Sequence, residues 1–477
     1  MTAPTKKSVF RATSLMGGVQ VLTILINIVR NKLAAVLIGA AGMGLADLYS
    51  RTADFLSQAT SFGIGISSVR RLAAMHEAGN QRECAHYVRL IRTLTLWLAA
   101  LGAVVCLVAA PLLSRWSVGG SSITPGFWKL AAMVAFITLA AGETAILKAT
   151  QQLRKIAVNT TLSAVATLAY AAAFYTAFGM RGIIPVLILS SATVWLLTLR
   201  STLQNFPLAL LRPRRDFFRR SRSVLAMGLA LVSAGILGSG SEMVIRSFVI
   251  SHGSLADAGL YAAGLTLTVS YARIIFSAMD ADYYPRLSAA ITSPTFLSAT
   301  VNRQIDVLVL MMAPFLILFA LVLPVAVRVL YAPEFMAVEP MVLLALGYML
   351  FKSVYSPMAY LPLAAGHSRV YLIMELSYDV VFCLLVILGY TFFGLPGTGV
   401  ALSVANALDL LALWTFYHHR YKYSLERATL LRAAFQAVLL AATLALCLSA
   451  PSLVMRCTVG GGLFALSLAY SVYSYKR

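Results

Sequence analysis

With 60% hydrophobic residues, 12% charged ones and a mean hydropathy of +0.83 over 477 residues, the chain is too apolar to remain in water, which excludes a soluble enzyme or binding module. Its 38 Lys and Arg against 17 Asp and Glu leave a formal charge of +21. Those basic residues flank apolar runs, so the expected partners are anionic membrane lipids, and no nucleic acid is expected.

Apolar runs of about 20 residues, each able to cross the hydrocarbon slab, recur through the chain. They read as about fourteen transmembrane helices. In order they are Val9–Ile38, Leu45–Val69, Leu90–Leu113, Phe127–Leu147, Ile156–Phe178, Ile183–Leu203, Val224–Ile250, Leu255–Tyr284, Val307–Leu330, Met341–Ala365, Val370–Phe393, Val400–Tyr417, Leu430–Leu448 and Leu453–Tyr473. The first, second and eighth are long for a straight crossing and leave room for a tilt or a bend. Basic residues alternate strongly between the two sides: Arg70, Arg71, Arg82, Arg89, Arg92 and the Arg212–Arg222 cluster fall on one, and only a few such as Arg115, Lys129, Arg181 and Arg456 on the other. The positive-inside rule then places both termini in the cytoplasm. The longest outer loop is expected at about Ser114–Gly126.

A shift of 215 positions carries Gly44-Leu45 onto Gly259-Leu260, Arg71-Leu72 onto Arg286-Leu287, Gly179 onto Gly394 and Gly182 onto Gly397. It also lays the first six spans over the next six in the same orientation, a parallel repeat of the kind that encloses a central cavity in transporters. The expected fold is therefore an all-α integral membrane protein with two pseudo-symmetric six-helix lobes and two extra C-terminal helices. The lobes cover 1–205 and 223–426, joined by a basic cytoplasmic linker at 206–222, and the extra helices cover 427–477. Those last two helices have no counterpart in the repeat; they either pack or form a groove for a lipid tail.

Polar residues inside the spans fall on stripes. Span 1 carries Gln20, Thr23, Asn27, Arg30 and Asn31; span 2 carries Asp47, Arg51, Asp54, Gln58 and Ser61 at steps of four, three, four and three. Span 7 supplies Glu242 and Arg246, and span 8 supplies Arg273, Ser277, Asp280 and Tyr284. An ionised group facing lipid near the bilayer centre costs on the order of 3 kcal/mol or more, so these stripes are expected to face a wet or protein-lined interior. Arg30, Lys32, Arg273 and Lys352 have no acid at helical spacing in their own spans, which suits them to an external anion; Lys32 could instead snorkel toward Gly39. Glu375 and Asp379 lie one turn apart in span 11, with Asp409 near Asn406 in span 12, a composition suited to a proton or sodium site or to salt bridges. Five cysteines, Cys84, Cys106, Cys383, Cys447 and Cys457, have no CxxC or metal-ligand spacing, so neither a disulfide framework nor a metal site is expected. No nucleophile elbow, P-loop or HExxH motif occurs, and His76, His86, His252 and His367 are scattered over expected loops, so no catalytic residues and no enzyme activity are expected.

The stretches KLAAVLIGAAGMGLADLY and SFGIGISSVRRLA, then AGLYAAGLTLTVSYARIIFSAMDADYYPRLSAA and FKSVYSPMAYLPLAAGHSRVYLIMELSYDVV, resemble the Wzx-type O-antigen and lipid-linked oligosaccharide flippases. These belong to the multidrug/oligosaccharidyl-lipid/polysaccharide (MOP) exporter superfamily. The resemblance covers most of the chain and implies two six-helix lobes with two further helices. It implies an inner-membrane flippase, ion-coupled through H+ or Na+, that carries an undecaprenyl-pyrophosphate-linked glycan to the periplasmic leaflet by alternating access. Contact with polysaccharide polymerase machinery is a further expectation, and no cofactor is implied. Lys32, Lys352 and Glu375 match residue types of the enterobacterial common-antigen members. For the other positions the stripes are the only guide: Arg30, Arg51, Arg246, Arg273, Gln20, Asn27, Asn31 and Gln58 for substrate, and Asp54, Glu242, Asp280 and Asp379 beside Glu375 for the ion. The alternatives are a multidrug extruder or a peptidoglycan lipid-precursor flippase of the same superfamily. A membrane polymerase or ligase fits less well, because such proteins present a large periplasmic loop.

Overall fold

The computed structural model describes residues 6–118, 124–211, 215–270, 276, 283–284, 286–291, 293–449 and 452–476. Among the described residues there is no strand. In chain order the main helices are α1 (Lys6–Leu37), α2 (Gly39–Ser61), α3 (Ile64–Glu77), α4 (Gln81–Val118), α5 (Thr124–Ala149), α6 (Leu153–Phe178), α7 (Ile183–Leu203) and α8 (Arg215–His252). They continue as α9 (Leu255–Leu265), α10 (Pro294–Leu330), α11 (Glu339–Ala359), α12 (Ser368–Tyr421), α13 (Arg427–Leu448) and α14 (Gly461–Lys476).

By length and apolarity alone, 8 described helical runs can cross a membrane. Two of these, Leu153–Leu203 and Arg369–Tyr421, are each two crossings joined at a tight turn. The segments α1, α2, α8 and the helix from Leu255, apolar over Leu255–Val269, occupy four more of the sequence-derived spans. The protein is thus an all-helical membrane protein of about fourteen spans.

The turns are where the sequence repeat becomes visible in the backbone. Gly179 ends α6 at φ 54°, ψ −131°, and Gly394 divides α12 at φ 61°, ψ −146°. A side chain in that region is strained, which fixes glycine at both ends of the 215-residue shift. Three residues on, a Cβ at Gly182 would run into the Phe174 carbonyl and one at Gly397 into the Gly389 carbonyl, and these two pairs are again 215 apart. Leu72 and Leu287 are both fully buried beside exposed Arg71 and Arg286. We expect Gly394→Ala to destabilise the protein by about 1–3 kcal/mol, read as a lower midpoint of unfolding in detergent, whereas Gly461→Ala, in open space on α14, should not.

Span 2 is bent. Phe62 and Gly63, at φ 46° and 65°, separate α2 from α3, which carries the chain on to Glu77. Helices also outrun the apolar stretches: α4 begins at Gln81 and reaches Val118, so Arg82 and His86, which precede the third sequence-derived span, are helical, and His76 lies in α3. The expected outer loop at Ser114–Gly126 shrinks accordingly.

Contacts divide the chain into two compact units, Met1–Ala258 and Gly259–Arg477. In the first, α5 packs on α4, α7 and α3, α1 lies on α6, and α8 lies across α2, α3 and α4. One apolar cluster of this unit joins α3, α4 and α5 through Leu72, Ile91, Leu94 and Ile146. In the second, α11 packs on α12 and α10, and α13 and α14 pack on α10. Arg432 of α13 pairs with Asp306 of α10, and Arg456 bonds Glu339 at 3.2 Å and the Cys447 carbonyl at 2.8 Å. The two C-terminal helices are therefore fastened to their unit by charge as well as by apolar packing.

Candidate functional site

The steps of four and three along α2 put Asp47, Arg51, Asp54 and Gln58 on one face, and that face meets α8. Two glycines of α8 permit the approach: a Cβ at Gly235 would stand 3.1 Å from Gln58 Oε1, and one at Gly240 would stand 3.3 Å from the Phe55 ring. Four charges then close into a ring. Asp47 accepts from Arg51 Nε at 3.3 Å and from Arg246 Nε; Arg51 Nη1 reaches Glu242 Oε2 at 2.7 Å. Arg246 completes it, with Nη1 3.8 Å from the Glu242 carboxylate and 3.0 Å from the Glu242 carbonyl.

The ring is lopsided in exposure. The Arg246 side chain is 2% exposed, Arg51 39% and Glu242 42%. Two positive and two negative charges cancel, so an incoming anion meets Arg51 first and must displace a carboxylate to bind it. Asp54, on the same face, is half-buried and forms no ion pair or hydrogen bond among the described residues. The sequence allowed Arg51 an acid on either side; its second partner is Glu242 of another helix instead.

On α1, Asn27, Arg30, Asn31 and Lys32 are all partly buried. Arg30 Nη2 lies 3.5 Å from Asn31 Oδ1 and within electrostatic reach of Tyr175 on α6. The Gln20 side chain, Arg273 and Asp280 lie outside the described residues.

In the second unit Lys352 is cradled by aromatic groups: Nζ donates to Tyr348 Oη at 3.3 Å and stands 5.4 Å from the Phe276 ring and 5.5 Å from that of Tyr348. Glu375 lies within the field of Lys352 and beside Tyr371. Asp409, on the other arm of α12, lies within the field of Glu375. Asn406, fully buried, donates to Tyr378 Oη at 3.0 Å and to the Leu402 carbonyl, and its own Oδ1 is buried without a partner among the described residues. Asp379 is half-buried on the same helical run.

Sequence reasoning missed one buried ion pair outright. Arg92 of α4 holds Glu143 of α5 through two bonds, 2.8 and 3.2 Å, with both side chains about 5% exposed or less. Thr202 Oγ1 bonds both, and Arg92 Nη1 donates to the Phe206 and Pro207 carbonyls at 3.2 and 2.9 Å. Glu143 stood as a single acid in an apolar run, and that isolation was the available signal.

The fold is similar to that of several solved membrane transporters. A structure described as an inward-facing multidrug resistance MATE family transporter matches with a TM-score of 0.71 at 15% identity, over 84% of this chain and 94% of that one. A structure of the lipid II flippase MurJ, inward closed, matches at 0.69 and 12%, over 97% of this chain and 100% of its own. A MOP transporter from Pyrococcus furiosus, whose description assigns it a binding pocket of reversed polarity, matches at 0.59 and 16%, over 87% and 96%. No known sequence family and no curated protein matches the chain.

Proposed function

We propose that the protein is a flippase of the bacterial inner membrane, with both termini cytoplasmic, that carries an undecaprenyl-pyrophosphate-linked oligosaccharide from the cytoplasmic to the periplasmic leaflet. The observation that carries this reading is the extent of the likeness to the lipid II flippase. The match extends over 97% of this chain, against 84% for the multidrug transporter. A cavity of about 280 Å³ lined by Phe351, Val354, Leu411, Trp414, Leu430 and Ala434, between α11, α12 and α13, has the apolar lining an isoprenoid chain needs.

The chemistry follows from charge. A pyrophosphate leaving water needs donors that replace its hydration, and guanidinium and ammonium groups give charge-assisted bonds. Arg30, Lys32, Lys352 and the half-buried Arg51 are our candidates, together with Arg273, which lies outside the described residues; Arg246 holds Arg51's partners in place. Sugar hydroxyls would be met by Gln20, Asn27, Asn31 and Gln58. Asp54 in the first unit, and Glu375 with Asp409 in the second, are carboxylates whose protonation or sodium binding would favour one arrangement over another; Glu242, Asp280 and Asp379 complete that set. A partnership with polysaccharide polymerase machinery belongs to the same reading.

The 0.71 TM-score to a multidrug transporter supports drug extrusion as a second reading, and the MurJ likeness supports a peptidoglycan precursor as cargo. Reconstituted protein should expose labelled undecaprenyl-pyrophosphate oligosaccharide on the far leaflet of liposomes, and Arg30→Gln with Lys352→Gln should slow this about tenfold or more. An unchanged rate in that double variant would remove the cationic residues from the account.

A further inference from the structure

We propose that the cavity between α3 and α4 binds a phosphate group, presented by an anionic phospholipid headgroup or free in solution. The cavity measures about 530 Å³, within the range of ligand pockets, and lies at the polar end of the long α4. Arg71, Arg82 and His86 line it, with Glu83 as the single acid, so its walls carry a net positive charge. Tyr87 is 4% exposed; its ring packs into the apolar cluster of α3, α4 and α5, and the Arg71 guanidinium stands 5.5 Å from the ring centroid. The Tyr87 hydroxyl is buried with no hydrogen-bond partner among the described residues. A polar atom left in that condition is costly, and a hydroxyl on a side chain that lines a cavity together with two arginines is an ordinary companion for phosphate oxygens.

The internal repeat supplies the second line of argument. The 215-residue shift carries Arg71 onto Arg286 and Tyr87 onto Asn302. In that copy the polar groups are used by the chain itself: Asn302 donates to the Ser424 carbonyl at 2.9 Å and accepts from Tyr423 Oη at 3.0 Å, while Arg286 donates to Gln304 at 3.2 Å. The matching segment of the first copy, 206–211, is held instead by Arg92 and by Thr93, whose Oγ1 accepts from the Leu211 N–H at 2.8 Å. The residues at the shifted positions are thus bonded within the chain, whereas Tyr87 keeps an unmatched hydroxyl and lines a cationic cavity. This inference is independent of the transport reading, since it concerns only α3 and α4.

The test uses the purified full-length protein and native mass spectrometry with phosphatidylglycerol, with diacylglycerol, which lacks the phosphate, and with inorganic phosphate as competitor. Phosphatidylglycerol should be retained about tenfold more strongly than diacylglycerol, and Arg71→Gln with Arg82→Gln should abolish the difference. Arg89→Gln, an exposed arginine of α4 outside the cavity, should leave it intact. Tyr87→Phe separates binding from folding: it should weaken retention several-fold while leaving the melting temperature equal or higher, because the deleted hydroxyl has no protein partner. Competition by millimolar phosphate would assign the site to a soluble anion, and its absence to the lipid headgroup. Equal retention of the two lipids with no phosphate binding, or equal loss in the Arg89 control, would overturn the proposal.

Discussion

Arg246→Ala is expected to destabilise the protein by about 3–5 kcal/mol, more than any other single change in the α2–α8 ring. Arg246 is almost fully buried, and its loss leaves the Asp47 carboxylate, 18% exposed, with only the longer bond from Arg51. The cost is that of an uncompensated buried charge, so it should fall when the partner is removed too: Asp47→Ala with Arg246→Ala should be less damaging than Arg246→Ala alone. Glu242→Gln, at an open and solvent-screened position, should cost less than about 1 kcal/mol. Unfolding in mixed micelles, followed by helical circular dichroism, measures all three. If Arg246→Ala cost no more than Glu242→Gln, the ring would be a surface arrangement with no part in holding α8 to α2.

Arg92→Ala is expected to be comparably severe, about 3–5 kcal/mol, for a related reason with a different consequence. It strands Glu143 between α4, α5 and α7, and at the same time releases the Phe206 and Pro207 carbonyls. The segment 206–211 leads out of the sixth span, so the variant should be cut there by protease far faster than the wild type, before global unfolding. Arg89→Ala, one turn away on the exposed side of α4, should change stability by no more than about 0.5 kcal/mol. Identical protease resistance in Arg92→Ala and wild type would show that apolar packing of Phe206 and Leu211 suffices to hold the segment.

Much of this architecture could be read from residues in order. Apolar runs separated by basic clusters gave the spans, because a bilayer imposes one length on every crossing. The repeat was legible through Gly179, Gly182, Gly394 and Gly397, since a backbone with positive φ or a close helix approach leaves no substitute for glycine. The polar face of α2 was equally plain from its spacing. Its partners were not. Arg51 pairs with Glu242, 191 positions away, and Arg92 with Glu143, 51 positions away, and neither separation has a helical period to betray it. The length of the second span left room for the bend found at Phe62-Gly63, but not its position, and the extension of α4 to Gln81 escaped, because hydropathy reports where a helix meets lipid, not where its hydrogen bonding begins or ends. Arg273 and Asp280, set in the sequence beside the stripes of spans 1, 2 and 7, lie outside the described residues.

Depletion of the protein in living cells decides whether a polyprenyl-pyrophosphate glycan is the proposed cargo. Cells should then accumulate an undecaprenyl-pyrophosphate-linked oligosaccharide that stays on the cytoplasmic leaflet, identified by mass spectrometry of extracted lipids and by its protection from an added glycosidase in spheroplasts. Sensitivity to cationic drugs with no build-up of any lipid-linked glycan would contradict the account and leave drug extrusion in its place.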